Sequence, residues 1–165
     1  MAENGEQANA QQQPPQIQLR VLGQYIRDMS FENVMAQKGA KAEGQPDINV
    51  QVNLDAKPRD QENTFESSIK LNIEAKAKES GDVLFLLEID YVGVFFITGV
   101  SADQMHPFLM IECPRQIFPF LRRIVADVTA DGGFPPLNLD TIDFVGIYRA
   151  ELARRQAAGQ QTANA

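Results

Sequence analysis

The sequence predicts an α+β domain, in which a four-stranded antiparallel sheet is followed by two C-terminal helices packed on one of its faces. Residues 48–55 and 65–78 alternate between apolar and polar side chains, as antiparallel strands with one solvent-exposed face do. Residues 83–98 are apolar at most positions. Beyond Gly99 the apolar spacing becomes helical, so the helices follow the strands along the chain.

Four strands are expected, and the two alternating stretches form the second and third. The first covers residues 17–32, where alternate side chains are apolar and Gly23 marks a bulge or bend. The fourth, residues 83–98, is apolar on both faces apart from Glu88 and Asp90. Because the helices can cover only one face of the sheet, we expect another chain to approach the other face of this strand or one end of it.

Helical segments are expected after the strands. A capping-box spacing predicts a short helix from about residue 102 to 111. Pro114 then opens a second helical segment that ends near Thr129, with Pro119 as the candidate site of a kink. The last helix is expected at residues 141–155, where apolar residues recur on one face.

The chain of 165 residues has the length of one domain. Residues 16–155 are expected to form it. Residues 1–15 and 156–165 are expected to be disordered tails, because they hold too little apolar surface to offset the entropy of ordering them.

The net charge limits the classes of partner to be expected, and the cysteine content and the lack of a signal peptide limit the cellular compartment. The formal net charge of −7 disfavours nucleic acid and favours basic proteins or basic segments as partners. Cys113 is the single cysteine, which fits a reducing compartment. Without a signal peptide or an apolar run of about 20 residues, a cytoplasmic protein that does not insert into the membrane is expected.

Residues suited to catalysis or metal binding are scarce. His106 and Cys113 are the only residues of their types, and neither belongs to a zinc-binding spacing. Gly132 and Gly133 are not followed by the lysine of a phosphate-binding loop, and the acidic residues show no spacing of a catalytic pair. The sequence therefore predicts no enzyme, no metal and no cofactor, with Cys113 packed in the core or an interface.

Two surfaces stand out as candidates for binding. Asp28 and Glu32 lie on one strand face and Glu88 and Asp90 on another, with Leu86 on the same face as Glu88. The pattern suits either a solvated sheet face or an acidic docking patch for a protein. A helical stripe of large apolar residues at 117, 121, 125 and 128 already supplies a core. Phe120 and Ile124 lie off that stripe, and such surplus apolar surface marks an interface or a binding groove.

Several passages resemble the SecB family of protein-export chaperones, and the resemblance spans essentially residues 16–152. They are residues 16–20 (QIQLR), 28–32 (DMSFE), 45–48 (QPDI), 85–89 (FLLEI), 93–95 (GVF), 113–114 (CP), 118–119 (FP) and 133–139 (GFPPLNL). Proteins of this family are homotetrameric dimers of dimers that act as ATP-independent holdases. They bind unfolded precursors of exported proteins in apolar grooves and deliver them to the SecA motor of the translocase.

The resemblance also implies roles for individual positions. The docking patch for the zinc-bearing C-terminal tail of SecA would be Asp28, Glu32, Leu86 and Glu88. The groove for unfolded clients would be lined by Ile48, Val50, Val52, Phe120, Ile124, Tyr148 and Leu152. Leu87, Ile89 and Tyr91 on the inner face would support tetramer contacts. The C-terminal tail lacks the family's acidic run, so a contact made by such a tail is not expected here.

Two other functions stay open at this point. A SecB-like general chaperone for cytoplasmic clients, such as an antitoxin, would keep the groove, although the acidic residues of the patch argue against it. A carrier of small hydrophobic ligands would enclose one pocket and would be a monomer.

Overall fold

The computed structural model describes residues 14–39 and 44–163, with side-chain environments given to residue 160. Apart from Pro14 and Pro15, the predicted N-terminal tail lies outside the described residues. Four strands and three helices follow in chain order: β1 (Gln18–Glu32), α1 (Val34–Lys38), β2 (Pro46–Pro58), β3 (Thr64–Ala77), β4 (Val83–Thr98), α2 (Ala102–Asp131) and α3 (Phe144–Ala163).

The four strands form one antiparallel sheet in the order β1-β4-β3-β2. The prediction of a four-stranded antiparallel sheet followed by C-terminal helices is confirmed. The bounds of β4 are as predicted, whereas β2 extends two or three residues beyond residues 48–55 at each end. β1 and β2 are the edge strands, and each pairs with one neighbour in the part of the chain that the structure describes.

The core lies between the sheet and α2, on what we call the inner face. Residues of β3 and β4 that alternate along each strand, among them Leu71 and Leu87, are fully buried there. From α2 come Ile117, Leu121 and Val125, which are spaced four residues apart on one helix face and are also fully buried. The predicted core stripe is confirmed at these three positions.

Residues 102–131 form one helix of 30 residues, although three prolines lie inside it. The predicted break between residues 111 and 114 is therefore wrong. A proline in a helix interior removes a backbone donor and crowds the preceding turn. Burial of the α2 stripe, including Pro114 itself, outweighs that local penalty.

β1 departs from simple alternation because its register with β4 shifts twice, between Val21 and Gly23 and between Ile26 and Asp28. One bulge thus lies beside the predicted Gly23, and the second was not predicted. As a result Tyr25 lies opposite Val92, on the outer face of the sheet, which is the face away from α2. The prediction that Tyr25 shares a face with the other apolar residues of β1 is wrong.

The helices at the two ends of the fold also differ from prediction. α1 was not predicted; its N-cap Asn33 accepts a hydrogen bond from the Ala36 N–H and donates one of 2.8 Å to the Gly132 carbonyl. α3 begins at Phe144 and continues to Ala163, beyond the predicted end at residue 155. It packs on α2 through an edge-to-face contact between Phe118 and Phe144, with ring centroids 5.9 Å apart.

Candidate functional site: two opposed surfaces of the sheet

The outer face carries a cluster of carboxylates where β1 and β4 pair. Glu32 lies directly opposite Leu86, and two residues earlier Ser30 lies opposite Glu88. Residues that face each other in an antiparallel ladder point to the same side of the sheet. Asp28, one more pair along, completes the group. We call Asp28, Glu32, Leu86 and Glu88 the acidic patch; the structure brings all four together, with the three carboxylates exposed and Leu86 half-buried.

The rows of paired residues on the outer face continue across the sheet to β3 and β2. Asn72 lies opposite Glu88, and Glu74 lies opposite Leu86. Together they form a shallow polar depression of about 350 Å³. Its lining is rich in hydrogen-bond acceptors, which suits a ligand that brings positive charge and N–H donors; it comprises Ser30, Glu32, Asn49, Gln51, Asn72, Ile73, Glu74, Leu86 and Glu88.

Sequence reasoning missed an ion-pair cluster beside the acidic patch. Arg27 sits in the second β1 bulge and donates hydrogen bonds to Asp90 Oδ2 (2.9 Å) and Glu66 Oε1 (2.7 Å). The hydrogen bond to Asp90 is the largest of the influences that raise the pKa of Arg27 above its ordinary value. The partners of Arg27 lie 39 and 63 residues away in the chain, and the bulge interrupts the alternation of the strand. No periodic pattern in the sequence therefore indicates this cluster.

The chain itself covers part of the outer face of β4. Val92 and Val94 are buried within the single chain. Glu66 of β3 lies opposite Val94, and Asp90 of β4 precedes Val92 by two residues. By holding both carboxylates, the Arg27 side chain crosses the outer face of β4 from β1 to β3. Burial of Val92 and Val94 therefore needs no second chain, because intrachain ion pairs and neighbouring strands cover them. The approach of another chain to the rest of this face, or to one end of β4, stays a prediction.

On the inner face, the apolar side of β2 is only half-covered. Ile48, Val50 and Val52 line one wall of a depression of about 350 Å³. The opposite wall is the segment between α2 and α3, which contributes Leu137, Asn138, Leu139, Asp140 and Ile142. We call this depression and its continuation along β2 the β2 groove.

Val52 continues the β2 groove into a second depression of about 330 Å³. Tyr148 lies in its wall, where its hydroxyl is 3.3 Å from His106 Nδ1 of α2. The remaining lining comes from β2, α2 and α3: Asn53, Leu54, Met110, Ile147, Ala150, Glu151 and Arg154.

The structure does not bring all the predicted groove residues together. Four of them, at positions 48, 50, 52 and 148, line the β2 groove. Phe120 and Leu152 are exposed and Ile124 is half-buried, but none of the three lines it. Sequence reasoning missed Leu137, Leu139 and Ile142; their signal was the run of apolar residues after Gly133, which has neither strand nor helix periodicity.

Leu87, Ile89 and Tyr91 lie in the core of the single chain. All three are at most 5% exposed and face α2. Burial raises the pKa of Tyr91, while the nearby positive charge of Arg123 acts in the opposite direction.

A strip of β1 exposes large apolar side chains. Each is more than 40% exposed, which is uncommon for a cluster on one strand. The strand is also a sheet edge, with backbone groups available for pairing on one side. The strip consists of Val21, Leu22, Tyr25, Ile26 and Met29, with Ile17 just before the strand.

Of the residues considered for catalysis, Cys113 has a packing role and His106 is exposed. Cys113 is fully buried, and burial, with a smaller effect of Glu112, raises the pKa of its thiol to about 12. Among residues 14–39 and 44–163, no group of three or more His, Cys, Asp or Glu side chains is arranged to hold a metal. No helix in those ranges is long and apolar enough to cross a membrane.

Comparison with known proteins gives a consistent result. The family described as "SecB: Preprotein translocase subunit SecB" matches residues 9–155. "Protein-export protein SecB" of Ruegeria pomeroyi is 69% identical over 93% of both chains. The protein of the same name from Dinoroseobacter shibae is 66% identical over 96% of this chain and 92% of its own.

A solved structure shares the fold at low identity. It is a SecB-like chaperone of Mycobacterium tuberculosis in complex with a ChAD peptide from an antitoxin. The TM-score is 0.58 and the identity 13%, over 76% of this chain and 91% of the other.

The fold, the opposed polar and apolar surfaces and these relatives define a protein-export chaperone. The chain belongs to the SecB family. The family resemblance predicted from the sequence is confirmed, and so is the chaperone role in protein export.

Proposed function

We propose that this protein is an ATP-independent cytoplasmic holdase that keeps precursors of exported proteins unfolded and passes them to SecA. The observation that carries the proposal is the placement of two surfaces of different chemistry on opposite faces of one sheet. The β2 groove is apolar and the acidic patch is polar and charged. Two partners can therefore be bound at once without competing for the same atoms.

The β2 groove suits an unfolded client. Its walls offer Val, Ile and Leu side chains, which gain free energy by contact with any apolar segment. A folded protein hides such segments, so the groove selects unfolded chains without reading their sequence. Phe120, Ile124 and Leu152 extend the apolar surface beyond the groove, and we propose that a long client contacts them as well.

The acidic patch suits the zinc-bearing C-terminal tail of SecA, which is basic in the family. Three exposed carboxylates surround half-buried Leu86. Charges at the rim of such a contact steer association and fix orientation, while the leucine supplies apolar area. Release of the client then follows because docked SecA competes for the client itself and not for a site on this chain, with no nucleotide, cofactor or catalytic residue in this chain.

We further propose a homotetramer built as a dimer of dimers. The exposed strip and open edge of β1 support pairing with a second copy, which would bury the apolar side chains and complete the backbone ladder. Leu87, Ile89 and Tyr91 are buried beneath α2, so their support of tetramer contacts is indirect, by holding that helix on the sheet. Several grooves on one assembly would act on one client multivalently.

The holdase proposal is tested with a denatured, slow-folding exported precursor. We expect a species of about four chains that co-elutes with the unfolded precursor in size-exclusion chromatography with light scattering, and does not co-elute with the folded mature form. Val50→Asp should abolish co-elution, because it places a charge on the groove wall, while Asn49→Asp on the outer face of the same strand should not. A monomer that ignores the unfolded precursor would instead favour a carrier of small hydrophobic ligands.

A further inference from the structure

Two carboxylates face each other at the end of the acidic patch. Asp28 of β1 lies directly opposite Asp90 of β4. Like charges directly opposite each other in an antiparallel pair destabilise the pairing, because their side chains are about 5 Å apart. Asp90 is also the more enclosed of the two, since its side chain is 17% exposed whereas Asp28 is an exposed residue.

The second β1 bulge places a cation at this position. In a bulge, two residues of one strand oppose a single residue of the other, so Arg27 and Asp28 both lie beside Asp90. The Arg27 guanidinium holds Asp90 with its Nε and Glu66 with its Nη1. Glu66 is enclosed as well, with a side chain only 10% exposed.

Two lysines also lie near the enclosed carboxylates. Lys70 of β3 lies directly opposite Asp90, and Lys57 of β2 has its Nζ 3.5 Å from Glu66 Oε1. The enclosed carboxylates thus have cations from the chain itself. In the part of the chain that the structure describes, the exposed carboxylates of the acidic patch, Asp28, Glu32 and Glu88, form no ion pair.

We propose that Arg27 is a positioning residue for the docking of a basic partner. By holding Asp90, it removes the repulsion between Asp90 and Asp28, and it leaves Asp28 in place and unpaired for the cation of the partner. The inference rests on the proposed docking function of the acidic patch. It adds Arg27 and Asp90 as residues that act on docking without belonging to the contact surface.

The test measures binding of the zinc-loaded C-terminal tail peptide of the cognate SecA to the full chain by isothermal titration calorimetry. Arg27→Gln should weaken binding about fivefold to tenfold, because Asp90 then repels and displaces Asp28. Asp90→Asn introduced into that variant should restore binding to within about twofold of the unmodified protein. Arg27→Lys keeps the charge and should retain intermediate affinity.

A matched control separates this effect from net charge. Arg20 lies on the same strand, 5.8 Å above the ring of Phe96 and away from the acidic patch. Arg20→Gln removes the same charge and should leave peptide binding unchanged. Binding of an unfolded precursor by every variant checks that each one folds.

The outcomes distinguish the two proposals. If the unmodified protein fails to bind the peptide, the docking function of the acidic patch and the role of Arg27 are both overturned. If it binds and Arg27→Gln binds equally well or more tightly, the role of Arg27 alone is overturned. Weakened binding that Asp90→Asn does not restore would also overturn it, because the loss would then not come from repulsion by Asp90.

Discussion

Gly93 sets how closely α2 approaches the sheet. A Cβ atom at this position would lie 2.6 Å from the Phe95 ring and 2.8 Å from a methyl carbon of Ile117. Phe95 and Ile117 are fully buried, so neither side chain has free space into which to move. Gly93 is therefore required by packing between β4 and α2.

Gly93→Ala should destabilise the fold by roughly 1–3 kcal/mol, as overpacking of a close-packed core does. Urea unfolding followed by circular dichroism measures the change. Gly23→Ala is the matched control in β1, because a Cβ there would meet nothing within 4 Å, and its stability should be nearly unchanged. Equal effects of the two substitutions would contradict this account of α2 packing.

Cys113 makes stability depend on pH in the alkaline range. Burial raises the pKa of its thiol from 9.0 to about 12, so the folded state holds the proton more tightly than the unfolded chain. The stabilisation is complete below pH 9 and is lost as the pH rises towards 12. The free energy of unfolding should therefore decline between pH 9 and 11, with this residue contributing at most about 1.4 kcal/mol per pH unit.

Cys113→Ala should make that decline shallower, although it lowers stability at pH 7 by leaving a small cavity. Denaturant unfolding of both proteins at several pH values supplies the comparison. Parallel curves for the two proteins would show that the thiol does not titrate as its burial requires.

At the scale of elements, one hydroxyl fixes the segment that walls the β2 groove. Thr129, fully buried near the end of α2, donates to the Val125 carbonyl (2.9 Å) and accepts from the Leu137 N–H (2.9 Å). The first bond belongs to the helix and the second to the segment after it. Thr129 thereby ties Leu137, and the groove wall that begins there, to the helix end.

Thr129→Val should cost about 1–3 kcal/mol of stability, because the Leu137 N–H loses its acceptor in a partly buried place. Client affinity should also fall, since the wall of the groove is then free to move. Thr141→Val, at an exposed position, is the control and should change neither quantity. Fluorescence anisotropy of a labelled unfolded precursor, combined with denaturant unfolding, measures both effects. Unchanged client affinity in a destabilised Thr129→Val protein would remove the role assigned to this bond.

Elements with a strong local signal could be predicted from the sequence, and those set by tertiary contacts could not. β3 and β4 were located to within a residue, because alternation and continuous apolarity are local properties. The unbroken α2 could not be predicted, since the burial that tolerates its prolines arises only after the sheet forms. The second β1 bulge places Arg27 in ion pairs with residues far apart in the chain, and such contacts leave no local signal in the sequence.

The candidate sites likewise contain parts that the sequence predicts and parts that only tertiary contacts determine. All four members of the acidic patch were predicted, because the family motif and regular strand pairing place them side by side. The β2 groove was predicted on its strand side only. Its other wall is an extended segment without periodicity, and no pattern in the sequence shows that Leu137 and Ile142 fold back over β2.

At the scale of the whole molecule, the sheet separates the two surfaces to which binding functions are proposed. Its inner face holds α2 and leaves the β2 groove open at one edge, while its outer face carries the acidic patch. The exposed apolar strip of β1 lies at the opposite edge from β2, so a second copy can pair there without closing the groove. In the proposed function, client binding, SecA docking and self-assembly thus use three different parts of one small domain.

The most direct test of this separation is to change the acidic patch and measure both partners. Leu86→Asp combined with Glu88→Lys removes the apolar centre and reverses one charge on the outer face. We expect SecA binding, measured by calorimetry, to be lost, while affinity for an unfolded precursor stays within about twofold. Equal loss of both activities would contradict the division of functions between the two faces.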